Sequence, residues 1–146
     1  MCYANSNLYV TNVGGGSISI ICGQINTVVG NPISLGQEPL GIAFDLANGN
    51  LYVANRFDGT VSVLSVQSNT VSGSSVAVGH NPLGIVFDTA NGNLYVTNSG
   101  DNSVLVITTS TANQPPNTAI TYADDGNGAI QNGGTTVSTA IQKSFT

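Results

Sequence analysis

Few side chains in this chain can do chemistry, and they are thinly spread. The acids are Glu38, Asp45, Asp58, Asp88, Asp101, Asp124 and Asp125; the bases are Arg56 and Lys143; His80 is the sole histidine, and Cys2 and Cys22 are the only cysteines. Two stretches invite a calcium reading, Asp-Leu-Ala-Asn-Gly-Asn from Asp45 and Asp-Thr-Ala-Asn-Gly-Asn from Asp88. Calcium wants roughly six to eight oxygen ligands, and an EF-hand loop closes on a glutamate. Neither stretch has that spacing or a following glutamate. Both read instead as hairpins in which the aspartate closes the turn through its own side chain. His80, before Asn81-Pro82, reads as a loop residue; to act in a catalytic pair it needs a second group, for which Asp88 is available. Glu38 occupies the equivalent connection one repeat earlier and reads as solvated. Two cysteines 20 residues apart make neither a zinc site nor a disulfide framework. Cys22 aligns with Ser65 and Thr108, so a small strand residue is expected, with a Cys2–Cys22 disulfide as the alternative. No catalytic, cofactor-binding or metal-ligating residue is assigned. Arg56, Phe57, His80 and Glu38 are the candidate contact residues.

Composition narrows the partners. Only 6% of the 146 residues are charged, against roughly 25% in an ordinary soluble domain. The net charge is −5. A phosphate backbone needs several Lys or Arg to neutralise it, so nucleic acid is excluded as a partner. The same shortage excludes an anionic membrane surface. No apolar run is long enough to span a bilayer. The first residues show neither the basic nor the apolar region of a signal peptide. Asn, Ser, Thr and Gly carry the hydrophilicity, a composition common in secreted and cell-surface β proteins.

The elements that must position these groups repeat. Leu8-Tyr9-Val10-Thr11-Asn12, Leu51-Tyr52-Val53-Ala54-Asn55 and Leu94-Tyr95-Val96-Thr97-Asn98 stand 43 residues apart, without gaps. Around these cores the repeats read PLGIAFDLANGNLYVANRFDGTVSVLSV from Pro39 and PLGIVFDTANGNLYVTNSGDNSVLVI from Pro82. A full repeat holds four short strands. Leu40 to Phe44 is an apolar run; Asn48-Gly49 supplies the positive φ of a tight turn. Leu51 to Asn55 is rich in residues that suit a pleated surface. Asp58-Gly59 turns the chain into Val61 to Val66, and Ser68-Asn69 turns it again toward a fourth strand at Val76 to Val78. Four antiparallel strands every ~40–50 residues is the spacing of a β-propeller blade. One such sheet has two apolar faces and must stack against neighbours to bury both. The expected fold is all-β: a partial β-propeller of about two and a half four-stranded antiparallel blades.

The expected boundaries are blade one at 1–38 without its first strand, blade two at 39–81, an incomplete blade three at 82–112, a Pro115-Pro116 linker at 113–117, and a truncated β segment at 118–146. Met1 falls where Phe44 and Phe87 stand, which reads as an internal start and the chain as a piece of something longer. Arg56-Phe57 replaces the Val13-Gly14 and Ser99-Gly100 of the other copies. A departure from a repeat is where function usually hides, which makes this turn the best local candidate for a contact.

The LYVTN/LYVAN cores, with Pro-Leu-Gly-Ile before and Val-Ser-Val after, closely resemble the YVTN-family β-propeller repeat of archaeal surface-layer and bacterial exported proteins. The resemblance covers about Asn5 to Ile107. It implies a propeller with the Pro-Leu-Gly-Ile strand innermost, displayed outside the cell, and it brings no general catalytic motif. The tail more weakly resembles the start of an Ig-like domain. The function expected is a non-catalytic extracellular or cell-surface module that binds a protein or carbohydrate or serves in structural display, with neither cofactor nor metal. Two alternatives stand beside it: part of a propeller enzyme of lyase or lactonase type whose catalytic residues come from other blades, and a lectin-like module. The open faces of the end blades are expected to drive self-association.

Overall fold

The computed structural model describes residues 6–109 with their side chains, and the strand backbones of 118–124 and 130–132. Three antiparallel sheets follow one another along the chain, with no α-helix among the described residues. The first sheet holds β1 (Asn7–Asn12), β2 (Ser17–Cys22), β3 (Thr27–Val28) and β4 (Ile33–Ser34). The second holds β5 (Pro39–Asp45), β6 (Asn50–Asn55), β7 (Thr60–Ser65), β8 (Thr70–Val71) and β9 (Val76–Ala77). The third holds β10 (Pro82–Asp88), β11 (Asn93–Asn98), β12 (Ser103–Thr108), β13 (Thr118–Asp124) and β14 (Ile130–Asn132). The LYVTN/LYVAN cores lie on β1, β6 and β11, and each pairs along its length with the next strand: Tyr9 faces Ile20, Tyr52 faces Val63, Tyr95 faces Val106.

Side chains alternate between the faces of a strand, so each blade offers two faces. Leu51, Val53 and Leu64 on one face of blade two meet Ile18 of blade one, with Tyr9, Ile33 and Ile42 around them. Tyr52, Val61, Val63 and Val78 on the other meet Leu94, Val96, Leu105 and Ile107 of blade three. The core is therefore two apolar seams between three sheets, as the stacking argument requires.

The first strands of blades two and three, β5 and β10, approach each other backbone to backbone. A Cβ on Gly41 would run into the backbone of Leu83, Gly84 and Ile85. Glycine in Pro-Leu-Gly-Ile is thus a condition for bringing neighbouring strands this close. Thr11 Oγ1 donates to the Leu40 carbonyl at 3.2 Å, which ties blade one to the same strand.

Each LYVTN/LYVAN asparagine braces the far end of its hairpin. Asn55 Nδ2 donates to Thr60 Oγ1 at 3.0 Å and Ser62 Oγ at 2.8 Å, and Asn12 Nδ2 reaches Ser17 and Ser19 in the same way. Asn98 Nδ2 donates across the seam to the Val78 carbonyl at 2.9 Å. Asn55 and Asn98 are buried. Tyr9 and Tyr52 pack in the seams; Asn48 Nδ2 donates to Tyr52 Oη at 3.0 Å and Asn91 Nδ2 to Tyr95 Oη at 2.9 Å. Burial pushes the Tyr52 phenol above its ordinary pKa, against the lowering effect of the Asn48 contact.

Two expectations need correction. Cys22 is buried and disulfide-bonded rather than a plain strand residue; Cys2 lies outside the described residues. The 118–146 stretch, set apart in the sequence, contributes β13, which pairs with β12 from Ser103–Ala123 to Thr108–Thr118, and β14 beyond it, so the third sheet runs past the expected blade boundary. The 113–117 linker lies outside the described residues.

Truncating Leu94, fully buried in the seam between blades two and three, is expected to cost about 2–5 kcal/mol. Truncating the exposed Leu46 is expected to change stability by no more than about 0.5 kcal/mol. Urea denaturation of Leu94→Ala and Leu46→Ala, side by side, measures both.

Candidate functional site

The loops at the far end of the LYVTN/LYVAN strands form one continuous surface. The connection entering blade two (Gly36, Gln37, Glu38) lies on the turn after β6, and the connection entering blade three (Gly79, His80, Asn81) on the turn after β11. The backbone bonds repeat between the two. Arg56 N–H donates to the Glu38 carbonyl at 2.9 Å and Ser99 N–H to the Asn81 carbonyl at 3.0 Å; Phe57 N–H reaches the Gln37 carbonyl at 3.3 Å and Gly100 N–H the His80 carbonyl at 3.0 Å. Val78 N–H donates to the Gly59 carbonyl at 2.9 Å, which joins the turn of blade two to the connection that follows.

An aspartate locks each connection. Asp58 Oδ2 accepts the Gln37 N–H at 2.8 Å, and Asp101 Oδ2 accepts the His80 N–H at 2.7 Å. Gly36 and Gly79 leave the space that this carboxylate and the neighbouring asparagine occupy. Glu38 and Asn81, at equivalent positions, both adopt a left-handed backbone with φ of 52° and 51°. Asparagine tolerates that region, whereas for glutamate it is strained.

On this common frame the two blades display different side chains. Arg56 Nη1 lies 3.1 Å from Glu38 Oε2 with both groups partly exposed. Phe57 stands beside them at 71% exposure. One blade on, His80 Nδ1 lies 2.7 Å from Asp101 Oδ1, with the imidazole almost fully exposed. The His80 backbone N–H, and then its ring, hold the Asp101 carboxyl below the usual aspartate range.

All four candidate residues therefore lie at one end of the blades. The structure pairs Glu38, which remains exposed, with Arg56, and gives His80 an aspartate. That aspartate is Asp101; Asp88, suggested by the sequence, sits at the opposite end, where its Oδ1 accepts the Ala90 N–H at 2.9 Å and its Oδ2 accepts from Asn91 Nδ2 at 2.8 Å. Asp45 likewise accepts the Ala47 N–H at 2.8 Å, so both hairpins have the aspartate-closed turn expected of them. The sequence reading passed over Asp58 and Asp101 as functional groups. Their signal was available: each stands 21 residues after the residue whose N–H it accepts, in both repeats. Among the described residues no group of three or more His, Cys, Asp or Glu comes together to hold a metal.

No protein-family model matches the sequence, and no curated protein matches it. Solved structures do. The chain is similar to a hydrazine synthase from Kuenenia stuttgartiensis at TM-score 0.66 and 23% identity, over 89% of this chain and 42% of that one. It is similar to a streptogramin B lyase at TM-score 0.68 and 19% identity, over 88% of this chain and 41% of the other. It is also similar to the dihydro-heme d1 dehydrogenase NirN at TM-score 0.63 and 15% identity, over 85% and 28% respectively. These are β-propeller proteins, and at such identities the likeness establishes the fold alone. The chain spans about two fifths of the length of the first two.

Asp101 keeps its charge more readily in the folded protein than in the unfolded chain. Its contribution to stability is therefore present above the unfolded pKa and is lost as pH falls through the lowered folded value. Asp101→Asn is expected to lower the melting temperature slightly at neutral pH, the site being solvent-screened. That difference is expected to shrink below about pH 4. Thermal melts of both proteins from neutral to acid pH check this.

Proposed function

We propose that this stretch of propeller acts by binding, through the loop end that carries Glu38, Arg56, Phe57 and His80, a protein or carbohydrate partner at the cell surface. The observation that carries the reading is Phe57, a 71% exposed aromatic beside a formed Arg56–Glu38 pair. Both neighbouring copies of the repeat have glycine at its position, Gly14 and Gly100. An exposed aromatic next to an arginine is the kind of group that dominates binding energy at interfaces. The strained Glu38 backbone supports the same reading, because strain persists where the surroundings hold it for a purpose.

An extracellular setting and kinship with YVTN-type surface-layer propellers are supported by the LYVTN/LYVAN cores, by the low charge, and by the bonded Cys22, since disulfides persist chiefly in oxidising compartments. The described first strands supply no catalytic group between Leu40 and Phe44 or between Leu83 and Phe87. A propeller enzyme would draw acids, bases or ligands from several blades.

One observation favours a second reading, in which the chain belongs to a propeller enzyme. Asp101 engages Nδ1 of His80, the arrangement that orients an imidazole to work through its other nitrogen. Two of the similar structures are, by name, a lyase and a dehydrogenase. Turnover of a generic ester or lactone that disappears in His80→Ala would favour this reading over binding alone.

The test of the first reading restores the repeat residue. Binding to immobilised glycans and to surface-protein fragments is compared for the wild type and Phe57→Gly. A partner held by this end is expected to bind Phe57→Gly about tenfold or more weakly. Unchanged binding would remove Phe57 from the site, and a partner found only among the glycans would make the module lectin-like.

A further inference from the structure

Asn-Gly occurs at Asn48-Gly49, Asn91-Gly92, Asn127-Gly128 and Asn132-Gly133. The first two pairs sit in the turns of the β5–β6 and β10–β11 hairpins. A glycine after asparagine matters for chemistry as well as for shape. With no Cβ, it leaves its own backbone nitrogen open to the side-chain amide of the residue before it. The other asparagines of blades two and three precede larger residues, among them Leu51, Arg56, Thr70 and Ser103.

The fold holds the atoms such a reaction needs. Gly49 N–H donates to the Asp45 carbonyl at 2.9 Å. Asn48 Oδ1 accepts the Asn50 N–H at 3.0 Å, and Asn48 Nδ2 donates to Tyr52 Oη at 3.0 Å. Tyr52 is buried between blades two and three, so it anchors the amide to the seam. Asn48 itself is exposed to water. Blade three repeats this frame: Gly92 N–H donates to the Asp88 carbonyl at 2.8 Å, and Asn91 Oδ1 accepts the Asn93 N–H at 2.9 Å.

We propose that Asn48 is a site of spontaneous covalent modification, closed while the β5–β6 hairpin is intact and reactive when it opens. The Gly49 nitrogen gives its proton to solvent base and bonds to Asn48 Cγ. The Cγ–Nδ2 bond breaks, and Nδ2 leaves as ammonia with a proton from water. The succinimide ring so formed takes up one water at either of its carbonyls. One product is aspartate. In the other, isoaspartate, the main chain runs through the former side chain and is one carbon longer. In the closed hairpin the proton to be lost is engaged by the Asp45 carbonyl, and the amide to be attacked is fixed by Asn50 and Tyr52. The reaction therefore waits on local opening.

The modification alters the edge of the seam. Either product loses the Nδ2 donor to Tyr52 and gains a carboxylate. Asp45 is fully buried three residues away, its Oδ2 has no hydrogen-bond partner, and its charge already bears on Tyr52. A second negative group there is unfavourable. The longer main chain of isoaspartate also displaces the Gly49 and Asn50 N–H groups that close the turn. Modified chains are expected to open this hairpin more easily than unmodified ones.

The full chain incubated in mildly alkaline buffer, with peptide mapping by mass spectrometry, tests this; a synthetic peptide spanning Phe44 to Val53 is the open reference. Modification at Asn48 is expected to run about tenfold or more slowly in the folded chain than in the peptide, and to reach the peptide rate in unfolding urea. Tyr52→Phe removes only the hydroxyl that holds Nδ2. It is expected to raise the rate in native buffer about fivefold, and exchange of the Gly49 amide proton by a similar factor. Equal rates in folded chain and peptide would overturn the gate, and no product at Asn48 in urea would overturn the site. An unchanged rate in folded Tyr52→Phe would remove the tyrosine from the gate. Should that variant fail to fold, the wild type in sub-denaturing urea decides. Modification and Gly49 exchange rising together support the gate, and modification rising without exchange overturns it.

Discussion

Every feature of this protein depends on the burial of both faces of a thin sheet. A four-stranded blade is one residue thick between two apolar surfaces, and water cannot be kept off both without neighbours. Leu51 and Val53 are buried by blade one, and Tyr52 and Val63 by blade three. The 43-residue spacing holds this together, since it delivers the same side chains to the same height on consecutive sheets. The braces that accompany the seams are subordinate to it. Asn98 can reach the Val78 carbonyl, and Gly41 can admit the Leu83 backbone, only because the sheets already lie at one fixed separation.

That constraint also explains where variation is tolerated. The seam residues change little between copies, while the loop end changes at Arg56, Phe57 and His80 without disturbing the backbone bonds beneath. Asp58 and Asp101 make this separation of roles explicit. Each spends its carboxylate on the chain entering its own blade, and the side chains around it are left to differ. A constant frame with a variable surface is the arrangement that lets repeated folds take on partners without losing stability.

The sequence made the blades legible because their signals are local: Asn-Gly turns, alternating strands and a spacing that needs no tertiary knowledge. It also made legible that Arg56, Phe57, His80 and Glu38 belong to loops. It did not reveal that Glu38 meets Arg56, because they are 18 residues apart and become neighbours only through the β5–β6 register, in which Pro39 stands opposite Asn55. The partner of His80 was misjudged for a related reason. Asp88 is nearer in sequence but is carried away along β10 to the opposite end, while Asp101 returns along β11. Cys22 was read from its aligned serine and threonine, and a covalent bond made by one copy alone leaves no trace in a repeat comparison. The extension of the third sheet by β13 had only a weak signal, since Ala119 stands one repeat after Val76 but in a segment whose composition has drifted.

The outermost strand of blades one and two is broken in the same place. Between β3 and β4, and again between β8 and β9, the chain leaves the sheet at Gly30 and Gly73, both with positive φ. What remains on the rim is a pair of two-residue ladders in place of one continuous run. A long bare edge would offer its unpaired amides and carbonyls as a template for any extended peptide, and a chain this poor in charge has little repulsion with which to refuse one. The interrupted rim denies such a strand the length it needs to register. On blades one and two the interrupted rim works against the strand-by-strand addition that seeds fibrils.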